Sequence, residues 1–125
     1  MALPYGRQTI DDDDIAEVVR VLRSDHLTTG PEIEAFEAEL AQRCGATHAI
    51  VVANGTAALH CAYAAAGLGP GDELVTTPLT FSATANMALA LGATVRFADI
   101  GDDLCLDPAR VGRVPKVIAP VDFAG

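Results

Sequence analysis

Residues 48–66 read His-Ala-Ile-Val-Val-Ala-Asn-Gly-Thr-Ala-Ala-Leu-His-Cys-Ala-Tyr-Ala-Ala-Ala. His48–Ala53 is a short apolar run rich in β-branched residues, which predicts a strand buried on both faces. Thr56–Ala66 is dominated by alanine, the strongest helix former, and predicts a helix. Asn54-Gly55 supplies a tight turn between the two. A strand that feeds a helix through so short a turn is the first half of a strand–helix–strand unit, and the chain beyond it repeats the pattern.

Working outward toward the C-terminus, Gly67-Leu68-Gly69-Pro70-Gly71-Asp72 closes the first helix. Glu73–Thr77 predicts a second strand and Ser82–Leu91 a second helix, stopped by Gly92. Thr94–Ile100 predicts a third strand, Asp107–Val111 a short helix and Lys116–Val121 a fourth strand. Alternating strands and helices place a mainly parallel sheet between helical layers, a three-layer α/β/α architecture. Toward the N-terminus, residues 1–10 look irregular. Thr9 with Asp12 resembles a capping box for a helix carrying Ile15, Val18, Val19 and Leu22 on one face. Residues 24–31 form a polar loop, Pro31 opens a second helix with Ile33, Phe36 and Leu40 on one face, and Gly45 ends it. Two regions result: residues 1–45, a helical segment with the loop 24–31, and residues 46–125, the first part of an α/β domain.

The bulk properties narrow the function. The 125 residues carry a net charge of −9 with no Lys/Arg cluster, which argues against nucleic acid as a partner. No run of 18 apolar residues exists, so no membrane span is expected. Cys44, Cys61 and Cys105 are odd in number and lack C-x-x-C spacing, and His26, His48 and His60 are scattered. Neither a disulfide framework nor a zinc site is expected, and a reducing cytoplasm fits best. The Asp11–Asp14 run reads as a helix start, where carboxylates favour the positive pole, in preference to a metal cluster. The chain stops as Val121-Asp122-Phe123-Ala124-Gly125 leaves a strand, where a covering helix should follow, so it is expected to be a fragment.

In parallel sheets, ligands sit beyond the carboxyl ends of the strands. Two such ends stand out here. At Ala53-Asn54-Gly55-Thr56-Ala57-Ala58 the amides of Thr56 and Ala57 fall at the positive end of a helix. That arrangement, with the Thr56 hydroxyl, suits a phosphate; the other reading is a plain strand-to-helix turn with a Thr cap. At Thr77-Pro78-Leu79-Thr80-Phe81-Ser82-Ala83-Thr84 an aromatic precedes a small-residue helix. Phe81 can stack on a flat ring or simply fill the core. Gly67, Gly69 and Gly71 follow a helix and precede a strand, the reverse of a dinucleotide fingerprint, and no Walker lysine is present.

The motifs in their order resemble the DegT/DnrJ/EryC1/StrS sugar aminotransferases, pyridoxal-phosphate enzymes of the aspartate-aminotransferase fold type. The residues that carry the likeness are Pro4-Tyr5-Gly6-Arg7-Gln8, Leu27-Thr28-Thr29-Gly30-Pro31, Asn54-Gly55-Thr56-Ala57-Ala58-Leu59 and Gly67-Leu68-Gly69-Pro70-Gly71-Asp72-Glu73. Further on come Thr80-Phe81-Ser82-Ala83-Thr84-Ala85-Asn86, Phe97-Ala98-Asp99-Ile100 and Pro120-Val121-Asp122-Phe123-Ala124-Gly125. The resemblance spans essentially the whole chain. It implies that Gly55, Thr56 and Ala57 hold the cofactor phosphate and that Phe81 stacks on the pyridine ring. It also implies that Thr28, Thr29 and Gly30 belong to a loop at a homodimer's active site.

Three departures matter. Asn54 stands where many members have Ser. The stretch from Asp107 to Lys116 is shorter than usual. The Schiff-base lysine and the acid paired with the pyridine nitrogen lie further along in members of the family, so no catalytic residue is assigned here. Lys116, the only lysine, heads a strand at its amino end, away from the expected ligand face. The resemblance implies transfer of an amino group, from glutamate, to a nucleotide-linked keto-sugar, with UDP-4-keto-6-deoxy-N-acetylhexosamine the substrate suggested by the closing Val-Asp-Phe-Ala-Gly. The alternatives are a pyridoxamine-phosphate-dependent sugar dehydratase of the same family, or a non-catalytic α/β domain that binds a phosphorylated ligand or a partner.

Overall fold

The computed structural model describes residues 6–123; Pro4-Tyr5 of the first motif and Ala124-Gly125 of the last lie outside the described residues. The chain divides into two compact units, one running to Val51 and one starting at Val52.

The first unit holds α1 (Asp12–Leu22) and α2 (Pro31–Cys44). The expected cap at Thr9 is displaced by two residues. Asp11 Oδ1 accepts the amides of Asp13 and Asp14 at 3.0 Å each, and Asp14 Oδ2 accepts the Asp11 amide at 3.1 Å. A carboxylate caps more strongly than the neutral threonine two residues before it, because it also meets the positive pole of the helix. Arg20 joins the helices by donating Nη2–H to Glu32 at 2.8 Å. Pro31 is the first residue of α2 and Gly45 ends it at φ 63, both as expected. The apolar stripe of α1 is present but unburied: Ile15, Val18 and Leu22 are exposed.

The second unit contains α3 (Gly55–Ala65), β1 (Glu73–Thr76), α4 (Ala83–Ala90), β2 (Thr94–Phe97), one 3₁₀ turn (Pro108–Arg110) and β3 (Val117–Ala119). The sheet is wholly parallel in the order β2-β1-β3, with Leu74 opposite Val95 on one side and Val117 on the other. The α/β class and the parallel sheet are therefore as the sequence implied. Central β1 is the most buried element: Leu74, Val75 and Thr76 are fully enclosed. Leu74 packs with Tyr63, Leu68, Ala88 and Ala93, bordered by Leu59, Met87, Leu91, Val95 and Val117. Thr76 is tolerated at zero exposure because its hydroxyl donates to the Ala119 carbonyl at 2.8 Å, which also ties β1 to β3.

Glycine punctuation behaves as expected at Gly92. This residue ends α4 at φ 81, its amide bonds Leu89 O at 2.9 Å, and Ala93 N–H reaches Ala88 O at 3.1 Å. A Cβ there would lie 3.0 Å from Pro70 Cγ, so both the backbone angle and the space call for glycine.

Three expectations change. His48–Ala53 forms no strand among the described residues. A strand exists only with a partner, and both edges of β1 are taken by β2 and β3. Of the four strands expected, three form. The helix expected over Asp107–Val111 is a single 3₁₀ turn, capped by Asp107 Oδ1 on the Ala109 amide at 2.9 Å. The strand expected to run to Ile100 stops at Phe97, and Ile100 forms one antiparallel bridge with Leu106.

Candidate functional site

The carboxyl end of β1 runs into Thr77-Pro78-Leu79-Thr80-Phe81 before α4 begins. Pro78 removes a donor that a longer strand would need. Thr77 then turns the chain, accepting the Leu79 amide on its hydroxyl at 3.1 Å, and Thr80 and Thr84 hydroxyls meet at 2.8 Å across the helix start. The Phe81 carbonyl accepts the Thr84 amide at 3.1 Å, so its main chain serves the first turn of α4 while its ring is left outside. Among the described residues the Phe81 side chain is 75 % exposed.

The first turn of α3 faces the same space. Asn54, Gly55, Thr56, Ala58, Leu59 and Ala62 of α3 and its cap, with Phe81 just before α4 and Ala83 in its first turn, line a cleft of about 720 Å³. The structure therefore brings together Gly55, Thr56 and Phe81. Their separation in sequence is bridged because α3 packs directly on α4, where Tyr63 Oη donates to the Thr84 carbonyl at 3.1 Å.

The donor inventory differs from the sequence reading in one respect. The Ala57 amide is not free. It donates to Asn54 Oδ1 at 2.9 Å, and the Ala58 amide donates to the Asn54 carbonyl at 3.1 Å. Asparagine at an N-cap has a side-chain oxygen at the right reach to take this amide. Among the described residues the open donors are the Gly55 and Thr56 amides and the Thr56 hydroxyl.

Among the described residues no charged side chain lines the cleft, and the first turn of α3 holds no acidic residue, whereas α1 and α2 carry Asp12–Asp14 and Glu32 with Glu34 there. The positive pole of α3 is thus not neutralised from within. Open amides at a helix N-terminus, a hydroxyl and an exposed aromatic over an apolar floor fit a flat aromatic ring bearing a phosphate.

Thr28, Thr29 and Gly30 belong to the first unit, just before α2. Thr29 sits in the left-handed region at φ 54, unusual for a β-branched residue, and Gly30 is the N-cap of α2. A Cβ on Gly30 would come within 3.1 Å of the His26 carbonyl oxygen, so the loop folds tightly on itself. Lys116 lies at the opposite end of the sheet from the cleft. Its amide bonds Glu73 O at 3.0 Å, at the amino end of β1, and its Nζ is 3.8 Å from Asp72 Oδ2.

Residues 8–125 match the model of the DegT/DnrJ/EryC1/StrS aminotransferase family. The chain is 44 % identical to the spore coat polysaccharide biosynthesis protein SpsC of Bacillus subtilis (strain 168), covering 98 % of this chain and 33 % of that protein. It is 39 % identical to the UDP-4-amino-4-deoxy-L-arabinose–oxoglutarate aminotransferase of Shewanella sediminis (strain HAW-EB3), again over 98 % of this chain and 33 % of the relative. Among solved structures, Helicobacter pylori PseC, an aminotransferase involved in the biosynthesis of pseudoaminic acid, superposes with a TM-score of 0.89 at 35 % identity, over 98 % of this chain and 34 % of that one. The chain thus spans about a third of the length of the relatives it matches.

Proposed function

Because this chain belongs to the DegT/DnrJ/EryC1/StrS aminotransferase family, we propose that the whole protein is a pyridoxal-phosphate-dependent aminotransferase that moves an amino group from glutamate to a nucleotide-linked keto-sugar. The observation that carries this reading is the cleft lined by Gly55 and Thr56, at the start of α3, together with the exposed Phe81. When bound, pyridoxal phosphate supplies the electron sink that amino transfer needs.

The residues of this chain bind and orient that group. Gly55 and Thr56 donate to its phosphate, and the Phe81 ring covers one face of the pyridine. Leu59, Ala62 and Ala83 give the cleft an apolar floor that excludes water from the ring. Thr28, Thr29 and Gly30 form the substrate-facing loop of a homodimer. Support for that assignment is the left-handed Thr29 backbone, a conformation that concentrates at functional loops.

Support for glutamate as donor is the Shewanella sediminis relative, whose name includes oxoglutarate, the keto acid that glutamate becomes on losing its amino group. The same name carries a UDP-linked sugar aminated at C4, which supports a UDP-linked 4-keto acceptor such as UDP-4-keto-6-deoxy-N-acetylhexosamine.

The test is direct. The whole protein, loaded with pyridoxal phosphate, is given glutamate with a panel of UDP-linked 4-keto sugars. Formation of 2-oxoglutarate and a 4-amino sugar in equal amounts is the expected result. Loss of a sugar hydroxyl without amino transfer, or no turnover with any keto-sugar, would overturn it.

A further inference from the structure

Asn54 precedes α3 in extended backbone, at φ −168 and ψ 171, and closes the first turn from both its oxygens. Its side chain holds the Ala57 amide at 2.9 Å and its carbonyl the Ala58 amide at 3.1 Å. The two amides left over belong to Gly55 and Thr56, which line the cleft shared with Phe81. We propose that Asn54 is a positioning residue for the cofactor phosphate, keeping the first turn of α3 wound before any ligand arrives and reserving the Gly55 and Thr56 amides for it. This inference rests on the cofactor reading given above and adds to it the division of labour among the four amides.

The physical case has three parts. The cap and the phosphate use different donors, the third amide of the helix against the first two, so both can be satisfied together. Gly55 is the first residue of the helix and has no Cβ to restrict it, and nothing lies within 4 Å of where one would stand. An unconstrained glycine in a first turn frays unless something beyond it is tied down, and the Asn54–Ala57 bond is that tie. Finally, the side chain of Asn54 is neutral and lines the cleft, so it holds the turn without repelling a phosphate dianion.

The experiment uses the whole protein with Asn54→Ser, Asn54→Ala and Asn54→Asp. Affinity for pyridoxal phosphate is followed by absorbance, inorganic phosphate is the competitor, and the melting temperature is taken without cofactor. Asn54→Ser keeps a capping oxygen and is expected to match the parent in both readouts. Asn54→Ala is expected to lower the cofactor-free melting temperature and weaken both ligands by roughly fivefold, the worth of a typical N-cap. Asn54→Asp caps as well as asparagine and is expected to preserve the melting temperature, while its charge beside the phosphate weakens binding by about tenfold or more. Tighter binding in Asn54→Ala would mean that the cap competes with the phosphate for the Ala57 amide, and would overturn the proposal. So would parent-like values for both Asn54→Ala and Asn54→Asp. Failure of the cofactor reading itself shows elsewhere, as absence of binding by the parent protein.

Discussion

The Tyr63 hydroxyl donates to the main-chain carbonyl of Thr84 at 3.1 Å, joining the last turn of α3 to the first turn of α4. Tyr63 is 4 % exposed, and its ring belongs to the cluster around Leu74. The two helices whose starts frame the cleft are therefore held together by one buried side chain that itself takes no part in the cleft.

Tyr63→Phe removes that bond and keeps the ring. The expected cost is about 1 kcal/mol, or roughly 3–6 °C in melting temperature. Burial raises the phenol above its ordinary value of 10. The unfolded chain then releases the proton first, so Tyr63 favours the folded state fully below about pH 10 and progressively less above it. Urea unfolding between pH 8 and 11 should show a fall in stability that Tyr63→Phe lacks. The absence of tryptophan and the presence of only two tyrosines make phenolate absorbance a usable second readout.

At the other end of the sheet, Glu73 accepts from Arg96 Nε at 2.8 Å and Arg113 Nη2 at 2.9 Å, while Arg96 also donates to the Val111 and Arg113 carbonyls. This clasp fastens the 111–113 segment to β1 and β2. Arg113 first, and Arg96 with it, hold the Glu73 carboxyl down to about 2. A lowered folded value means the contribution is present above the unfolded value of 4.5 and disappears as pH falls toward 2. Glu73→Gln should therefore be less stable than the parent at pH 7, with the gap closing between pH 4.5 and 2. Arg96→Met should destabilise more than Arg113→Met, because Arg96 is 29 % exposed and Arg113 78 %.

In the cleft, Thr56→Ala removes one charge-assisted hydrogen bond to phosphate. Such a bond is worth roughly 1.5–3 kcal/mol, so affinity for pyridoxal phosphate should fall by about ten- to a hundredfold, with Thr56→Ser close to the parent. Absorbance titration of the whole protein measures it. An unchanged affinity in Thr56→Ala would remove Thr56 from the phosphate site.

Phe81 offers a cleaner separation of binding from folding. Because the ring is 75 % exposed, Phe81→Leu and Phe81→Tyr should both leave stability within about 0.5 kcal/mol of the parent. Stacking contributes roughly 0.5–1.5 kcal/mol, so Leu should loosen the cofactor by about two- to twelvefold and Tyr should not. Equal binding by both variants would show that no ring lies on Phe81.

The sequence was most legible where local chemistry alone decides. The helices over α2, α3 and α4, the stops at Gly45 and Gly92, and the placement of Lys116 at the amino end of its strand all rest on short-range patterns. Thr56 and Phe81 read as neighbours at two strand ends, and both line the cleft. What failed depended on partners distant in sequence or on competition between neighbours. Residues 48–53 have the composition of a strand and nothing to pair with. The Ala57 amide looked available until the Asn54 side chain claimed it. Tyr63 gave no signal, because its acceptor is a main-chain carbonyl 21 residues away and any residue at position 84 would supply one. The Glu73 clasp was hidden for a related reason: Arg96 and Arg113 lie 23 and 40 residues from it.

The 125-residue chain, made by itself, is expected to catalyse no amino transfer and to self-associate. Capture of the cofactor needs an amine near the cleft, and the only lysine is Lys116. It pairs with the amino end of β1, whereas Phe81 follows the carboxyl end, and four strand residues separate those ends by about 13 Å at 3.3 Å per residue. The Lys116 Nζ also lies 3.8 Å from Asp72 Oδ2, an ion pair at the amino end of β1. Association has its own cause. Ile15, Val18 and Leu22 line one exposed face of α1, Leu89 and Phe97 are exposed in the second unit, and β2 and β3 are open edges. Apolar faces and open strand edges of this kind seek partners. Sedimentation at increasing concentration should show a rising average mass, and borohydride treatment with pyridoxal phosphate should leave no stoichiometric adduct on Lys116. A monomer at all concentrations would refute the first expectation. Cofactor fixed one-to-one on Lys116, together with turnover of glutamate and a keto-sugar, would refute the second and move the catalytic amine to the other end of the sheet.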